Sequence, residues 1–260
     1  MATARPFPSS SSIAAPMPDS PASNVELLAA NLSVVRQRID EAAARSGRDG
    51  HEVTLVGVCK YIGPRLTRQL VEAGCDQLGE NRPQQLWEKT TQLEGTGAAW
   101  HLIGHLQRNK VRRTLPLIAM LHSGDSQRLL KAVNEEASRH GHSLPVLLEV
   151  NISGDATKHG FHPDQMPGII EQVSTLEFLD VEGLMTMASL AGGPEKARGD
   201  FAALRELRDR LREYCPDNVR LDDLSMGMSG DFEVAVEEGA TLVRVGSALF
   251  EGIDLQDHDT

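Results

Sequence analysis

Between Val53 and Gly246 the chain alternates short apolar runs with longer amphipathic stretches, and the alternation never breaks. Eight runs read as strands: 53–59 (VTLVGVC), 75–79, 100–104, 117–123, 145–152, 178–187, 220–226 and 241–246. Between them apolar positions recur at helical spacing over 64–73, 83–93, 107–115, 126–140, 163–174, 194–214 and 230–238. Near-continuously apolar strands separated by helices indicate a parallel sheet covered on its outer face. Eight such units in roughly 200 residues predict an α/β fold whose sheet closes into a (β/α)8 TIM-type barrel. The rival is an open doubly wound sheet with a glycine-rich first turn, and the sequence contains no G-x-G-x-x-G. One further helix precedes the alternation: Val25, Leu28, Leu32, Val35 and Ile39 share a helical face, with Ser23 or Asn24 as its cap.

The ends of the chain read differently. Residues 1–23 are rich in Ala, Ser and Pro, a composition that cannot bury enough apolar surface to order itself, and predict a disordered tail. They contain no apolar segment of the kind a signal peptide needs. The expected organisation is therefore this tail, one barrel domain over 24–253, and a short tail over 254–260.

Charge and cysteine usage narrow the function. The formal net charge is −11, from 37 acids against 26 bases, which argues against a nucleic-acid surface. No apolar run approaches the ~20 residues of a membrane span. Cys59, Cys75 and Cys215 are odd in number and lack metal-ligand spacing, which predicts a reduced, cytoplasmic setting.

In a barrel of this kind the chemistry lies at the carboxyl ends of the strands. Lys60 closes the first strand, and alternation puts it on the inner face with Thr54, Val56 and Val58. An amine at the rim of an apolar barrel is partly desolvated, which frees its lone pair for Schiff-base chemistry. The stretch SMGMSGDF (225–232) and the end of RVGSALF (244–250) are small-residue turns after strands seven and eight, where these barrels often seat a phosphate. Ser229 is a candidate helix cap there, and Gly246 would let backbone approach a ligand. Arg244 faces inward and needs an acceptor, either a carboxylate such as Glu80 or a ligand ring nitrogen. His101 and His105 read as structural hydrogen-bonding residues, because no Asp, Glu or Cys close in sequence completes a metal shell. No metal is expected.

These motifs resemble a known family. GVCK around Lys60, LGEN (78–81), WHLIGHLQRNK (100–110), LLEVNIS (147–153), GLMTM (183–187) and LSMGMSGDFEVAVEEGATLVRVGSALF (224–250) are similar to the pyridoxal phosphate homeostasis proteins, the YggS/PROSC family. The resemblance runs from about Asn24 to Gly252. It implies a fold type III barrel like the N-terminal domain of alanine racemase, carrying pyridoxal 5′-phosphate (PLP) as an aldimine on Lys60. It further implies that Ser225, Ser229, Gly246 and Ser247 line the phosphate, that Asn81 lies near the ring, and that Arg244 faces the pyridine nitrogen. Cys59 stands where the family usually has Ser, and Ser247 where Thr is common.

Two function classes follow from the resemblance. One is a noncatalytic carrier that holds the cofactor and delivers it to PLP-dependent apoenzymes. The other is a racemase-like enzyme, which needs a second acid or base opposite the lysine. The only tyrosines are Tyr61 and Tyr214. Alternation points Tyr61 away from the interior, and Tyr214 ends an outer helix. The carrier is the expectation, as a monomer. An aldolase using Lys60 directly is a third, weaker option, lacking an evident set of acid/base carboxylates.

Overall fold

Eight parallel strands pair in chain order and the eighth returns to the first, closing the sheet into a barrel. The strands are β1 (Thr54–Val58), β2 (Gln77–Glu80), β3 (Ala99–Leu102), β4 (Met120–Gly124), β5 (Leu144–Glu149), β6 (Leu179–Met185), β7 (Asp223–Ser225) and β8 (Leu242–Val245). The helices are α1 (Asn24–Arg45), α2 (Pro64–Glu72), α3 (Pro83–Gln92), α4 (Val111–Thr114), α5 (Gln127–His140), α6 (Met166–Val173), α7 (Gly193–Arg212) and α8 (Phe232–Glu237). This computed structural model describes residues 23–155, 157–188, 193–216 and 218–255. The expectations for the tails at 1–22 and 256–260 lie outside them.

The predicted barrel and leading helix are both present, and each predicted run overlaps a strand. Two apolar layers hold the barrel. Val56, Leu147, Met185 and Leu242 meet inside it, while a larger layer joins the outer strand faces to the helices. Cys59 belongs to the outer layer, as alternation requires, and burial pushes its thiol up to about 12. The cysteines are free.

Helix α1 starts at a capping box between Ser23 and Glu26 and buries Leu28, Leu32, Val35 and Ile39. It packs against α8 and α2, so it covers the seam where β8 meets β1. Asn31 donates to the carbonyls of Leu249 and Glu251, which ties the segment after β8 to this helix. No helix among the described residues is long and apolar enough to cross a membrane.

Candidate functional site

A cavity of about 400 Å³ opens among the loops at the carboxyl ends of β1, β2, β3, β7 and β8. Its size is that of a small-molecule site. Lys60, Asn81, Ser229, Arg244, Gly246 and Ser247 all line it. The seventh predicted residue, Ser225, does not: it is fully buried at the end of β7.

Lys60 is half-buried, and its Nζ lies 4.9 Å from the centre of the Tyr61 ring. Among the described residues it makes no hydrogen bond or ion pair. Its backbone is held from below. Lys89 Nζ donates to the Cys59 carbonyl at 2.6 Å and to Glu80 Oε2 at 2.6 Å. Glu80 Oε1 in turn accepts from the amides of Asn81 and Arg82. One buried ion pair therefore fixes the chain immediately before Lys60 and at Asn81. Glu80 is thus the partner of Lys89, not of Arg244. Tyr61 differs from the expectation too. The strand ends at Val58, so alternation no longer applies, and the Tyr61 ring borders the cavity beside the lysine while staying 78% exposed.

Arg244 forms the inner wall. Its guanidinium donates to Ser225 Oγ at 2.6 Å and to the Thr186 carbonyl at 2.8 Å. From Ser225 the contacts continue to His122 Nδ1 (2.9 Å), from His122 Nε2 to His101 Nδ1 (2.9 Å), and from His101 Nε2 to Gln77 Oε1 (2.9 Å). Burial pushes His101 down to about 4 and His122 well below its ordinary value, the latter helped by His101 and Arg244, so both imidazoles are neutral. The Gln77 oxygen can only accept, and with neutral rings that fixes the direction of the chain. His101 donates from Nε2 to Gln77, His122 donates from Nε2 to His101, and Ser225, which accepts from Arg244, donates to His122 Nδ1. Burial pushes Arg244 down to about 10 against the opposing pull of Glu149 and Asp231, so it stays cationic at neutral pH.

The turns after β7 and β8 face each other across the cavity. Gly227 has φ +94°, and a Cβ there would meet Ala235 at 2.5 Å, so this turn requires glycine. Asp231, rather than Ser229, stands at the N-cap position of α8, its carboxylate accepting from the Met228 amide. Ser229 is thereby free to turn toward β8, where its Oγ accepts from the amides of Gly246 (3.0 Å) and Ala248 (3.5 Å). Two backbone N–H groups thus converge on one point of the rim, the arrangement that seats an anion. Gly246 is not demanded by the protein's own packing. Its φ is −118°, and a Cβ would meet Val58 at an ordinary 3.5 Å.

On the opposite side of the mouth, the loops after β3, β4 and β5 bring together groups that are far apart in sequence. His105 Nδ1 lies 2.5 Å from Asp125 Oδ2, and the His105 and His159 rings stack with centres 4.4 Å apart. Glu149 closes β5 nearby, and burial, with the Asp125 charge adding, pushes its carboxyl up to about 7. Linear spacing offered His105 no acidic neighbour, whereas the fold supplies Asp125. Lys89 was the other omission, and it left a signal. It shares the buried face of α3 with Pro83 and Leu86, where a lysine needs a buried acid.

Comparison with known proteins places this geometry. Residues 24–253 match the family model for the alanine racemase N-terminal domain. The chain is 41% identical over 220 residues to the pyridoxal phosphate homeostasis protein of Aquifex aeolicus, covering 84% of this chain and 95% of that one. It is 35% identical over 237 residues to the protein of that name from Bos taurus, covering 84% and 85%. Among solved structures, PipY of Synechococcus elongatus with PLP bound superposes with a TM-score of 0.76 at 31% identity, over 86% of this chain and 99% of that one. Alanine racemase of Clostridium difficile shares the fold at a TM-score of 0.69 and 18% identity, over 90% of this chain and 62% of that one.

Proposed function

Because the chain belongs to the pyridoxal phosphate homeostasis protein family, we propose that it holds PLP in this cavity as a Schiff base on Lys60 and does not turn over amino acids. The observation that carries the reading is a single pairing. An amine with no hydrogen bond or ion pair among the described residues stands in the same cavity as two amides that converge on Ser229. Those are the two handles that an aldehyde bearing a phosphate requires. The cofactor's aldehyde condenses reversibly with a primary amine, and its ring withdraws electrons best when its nitrogen is protonated.

This chain's residues restrain that chemistry. Lys60 supplies the amine, Ser229 and the Gly246 and Ala248 amides supply the anion seat, and Arg244 closes the inner wall. Arg244 is a permanent donor, so it would leave a ring nitrogen facing it unprotonated. The histidine chain behind it is polarised away from the cavity and offers no proton to replace that deficit. Tyr61 stands on the same side as Lys60 and so does not supply an acid or base from the opposite face. Ser225 acts in this reading by holding Arg244, not by touching the phosphate. The reading extends to a monomeric, cytoplasmic carrier whose recipients are PLP-dependent apoenzymes.

The test is borohydride reduction of the PLP-loaded protein with peptide mass mapping, joined to α-proton exchange of amino acids in deuterated buffer. The adduct is expected on Lys60 with exchange no faster than slow leakage. An adduct consistently on another lysine would overturn the site. Enzyme-like exchange abolished by Lys60→Ala would instead establish the racemase-like alternative.

A further inference from the structure

Outside the cavity, one group of side chains has the chemistry of a ligand site. His105, Asp125 and His159 each offer one donor atom, and the three atoms lie within 4.8 Å of one another. They come from the loops after β3, β4 and β5, at the mouth where such barrels bind ligands. The Asp125 side chain is only 3% exposed, and its Oδ1 has no hydrogen-bond partner among the described residues. Buried carboxylate oxygens are almost always satisfied, so an unpartnered one beside two imidazoles points to a further ligand.

The three segments are fixed before anything binds. Ser123 Oγ donates to the Gly104 carbonyl at 2.7 Å, which holds the β3 loop against the end of β4. Gly104 is pressed so closely against Asn81 that a Cβ would lie 2.1 Å from its side-chain oxygen. His159 is held between two anchors. On one side Lys158 Nζ donates to the carbonyls of Met187 and Ala188, at 3.0 Å each. On the other, Gly160 has φ +105° and passes the Glu149 carbonyl where a Cβ would approach to 2.9 Å, and Phe161 pairs back onto Val150.

We propose that His105, Asp125 and His159 form a binding site for a divalent cation of the zinc class on the β3–β5 side of the barrel mouth. Two imidazoles and one carboxylate favour Zn²⁺ or Co²⁺ over Mg²⁺ or Ca²⁺, which prefer all-oxygen shells. Bonds of about 2.1 Å to a tetrahedral ion put donor atoms about 3.4 Å apart, so the widest separation here, within 4.8 Å, has to close by at most about 1.4 Å. The two rings are stacked 13° from parallel, so one must turn to aim its nitrogen at a shared ion. His159 is exposed and has the room to do so. Three protein ligands leave a fourth position for water or for an anionic group of a molecule in the mouth.

The full chain, loaded with PLP and dialysed free of excess, is titrated with ZnCl₂ by calorimetry and with CoCl₂ by its visible d–d band. One Zn²⁺ per chain and a tetrahedral Co²⁺ spectrum are expected, with Mg²⁺ failing to compete. His159→Ala, at an exposed position that leaves the fold intact, is expected to weaken Zn²⁺ binding by about tenfold or more, and Asp125→Asn to do the same. The absence of saturable Zn²⁺ binding would overturn the site. So would binding that survives both substitutions, or binding lost only with Cys215→Ser.

Discussion

Through the barrel interior, Arg244 on β8, Ser225 on β7, His122 on β4 and His101 on β3 are buried and joined to one another by hydrogen bonds. At the mouth, on the β3–β5 loops, His105 and His159 stand exposed above a buried Asp125 that keeps one oxygen unpartnered among the described residues. The first group is a closed network whose geometry is set by the protein alone. Removing one member leaves the others unsatisfied in a low-dielectric interior, and its orientation is therefore stiff. The second group can exchange partners at little cost, because water already reaches two of its three members. A fixed network inside the barrel thus lies beneath an adjustable charged group at its mouth. Lys60 belongs to neither network.

The largest effect is expected where the two groups contribute nothing to the fold. Lys60→Ala is expected to abolish the borohydride-fixed adduct completely while changing stability by only about 0.5 kcal/mol or less, since among the described residues the amine has no hydrogen bond or ion pair and contacts only the exposed Tyr61 ring. Urea unfolding and intact mass on the same sample read both. A large loss of stability would show that Lys60 is part of the closed network after all.

Next comes the buried pair beneath it. Lys89→Met is expected to cost about 3–5 kcal/mol in urea unfolding, because Glu80 would be left charged and unpaired. Near-neutral behaviour would mean that Glu80 takes up a proton or finds water, and that this side is less dry than its burial implies.

The buried network and the charged group at the mouth are also expected to titrate with opposite sign. His101 is held near 4 in the folded protein, so the stability it contributes is present above about 6.5 and lost as pH falls toward 4. Glu149 is raised to about 7, so its contribution is present below 4.5 and lost as pH rises through 7. Steps of this size are each worth roughly 3 kcal/mol, and in the native protein they oppose one another. Glu149→Gln removes one of them. Its unfolding free energy is expected to fall more steeply between pH 7 and pH 4.5 than that of the native protein. An unchanged slope would place the Glu149 titration in its ordinary range.

Ser225→Ala is expected to cost about 1–3 kcal/mol, because it strips an acceptor from Arg244 and a donor from His122 at once. If Ser225 touched a phosphate directly, the same substitution would weaken cofactor retention with little effect on the unliganded protein. Gly246→Ala is the converse case and the smallest for the fold. The added methyl meets only ordinary contacts, so unliganded stability is expected to hold within about 0.5 kcal/mol. Retention of PLP on dialysis is expected to weaken. Unchanged retention would move the anion seat away from this turn.

Much of this molecule was legible before any coordinates. Each of the eight apolar runs overlaps a strand, because a parallel strand buried on both faces leaves a nearly unbroken apolar signature. Strand alternation was extended to Lys60 and Tyr61, but β1 ends at Val58, and both residues border the cavity. Ser229 was read as a cap and is not one, since Asp231 takes the N-cap position two residues on.

The sequence by itself determined the closed barrel, its leading helix and the strand-end residues that gather around the cavity, because periodicity records which face of each element avoids water. Tertiary structure alone decided that Ser225 lies beneath Arg244, that His122 reaches a serine 103 residues away, and that His105 meets Asp125 and His159. Those meetings depend on how far each strand is sheared against its neighbour when the barrel closes. That shear belongs to the sheet as a whole and is written in no single segment of the chain.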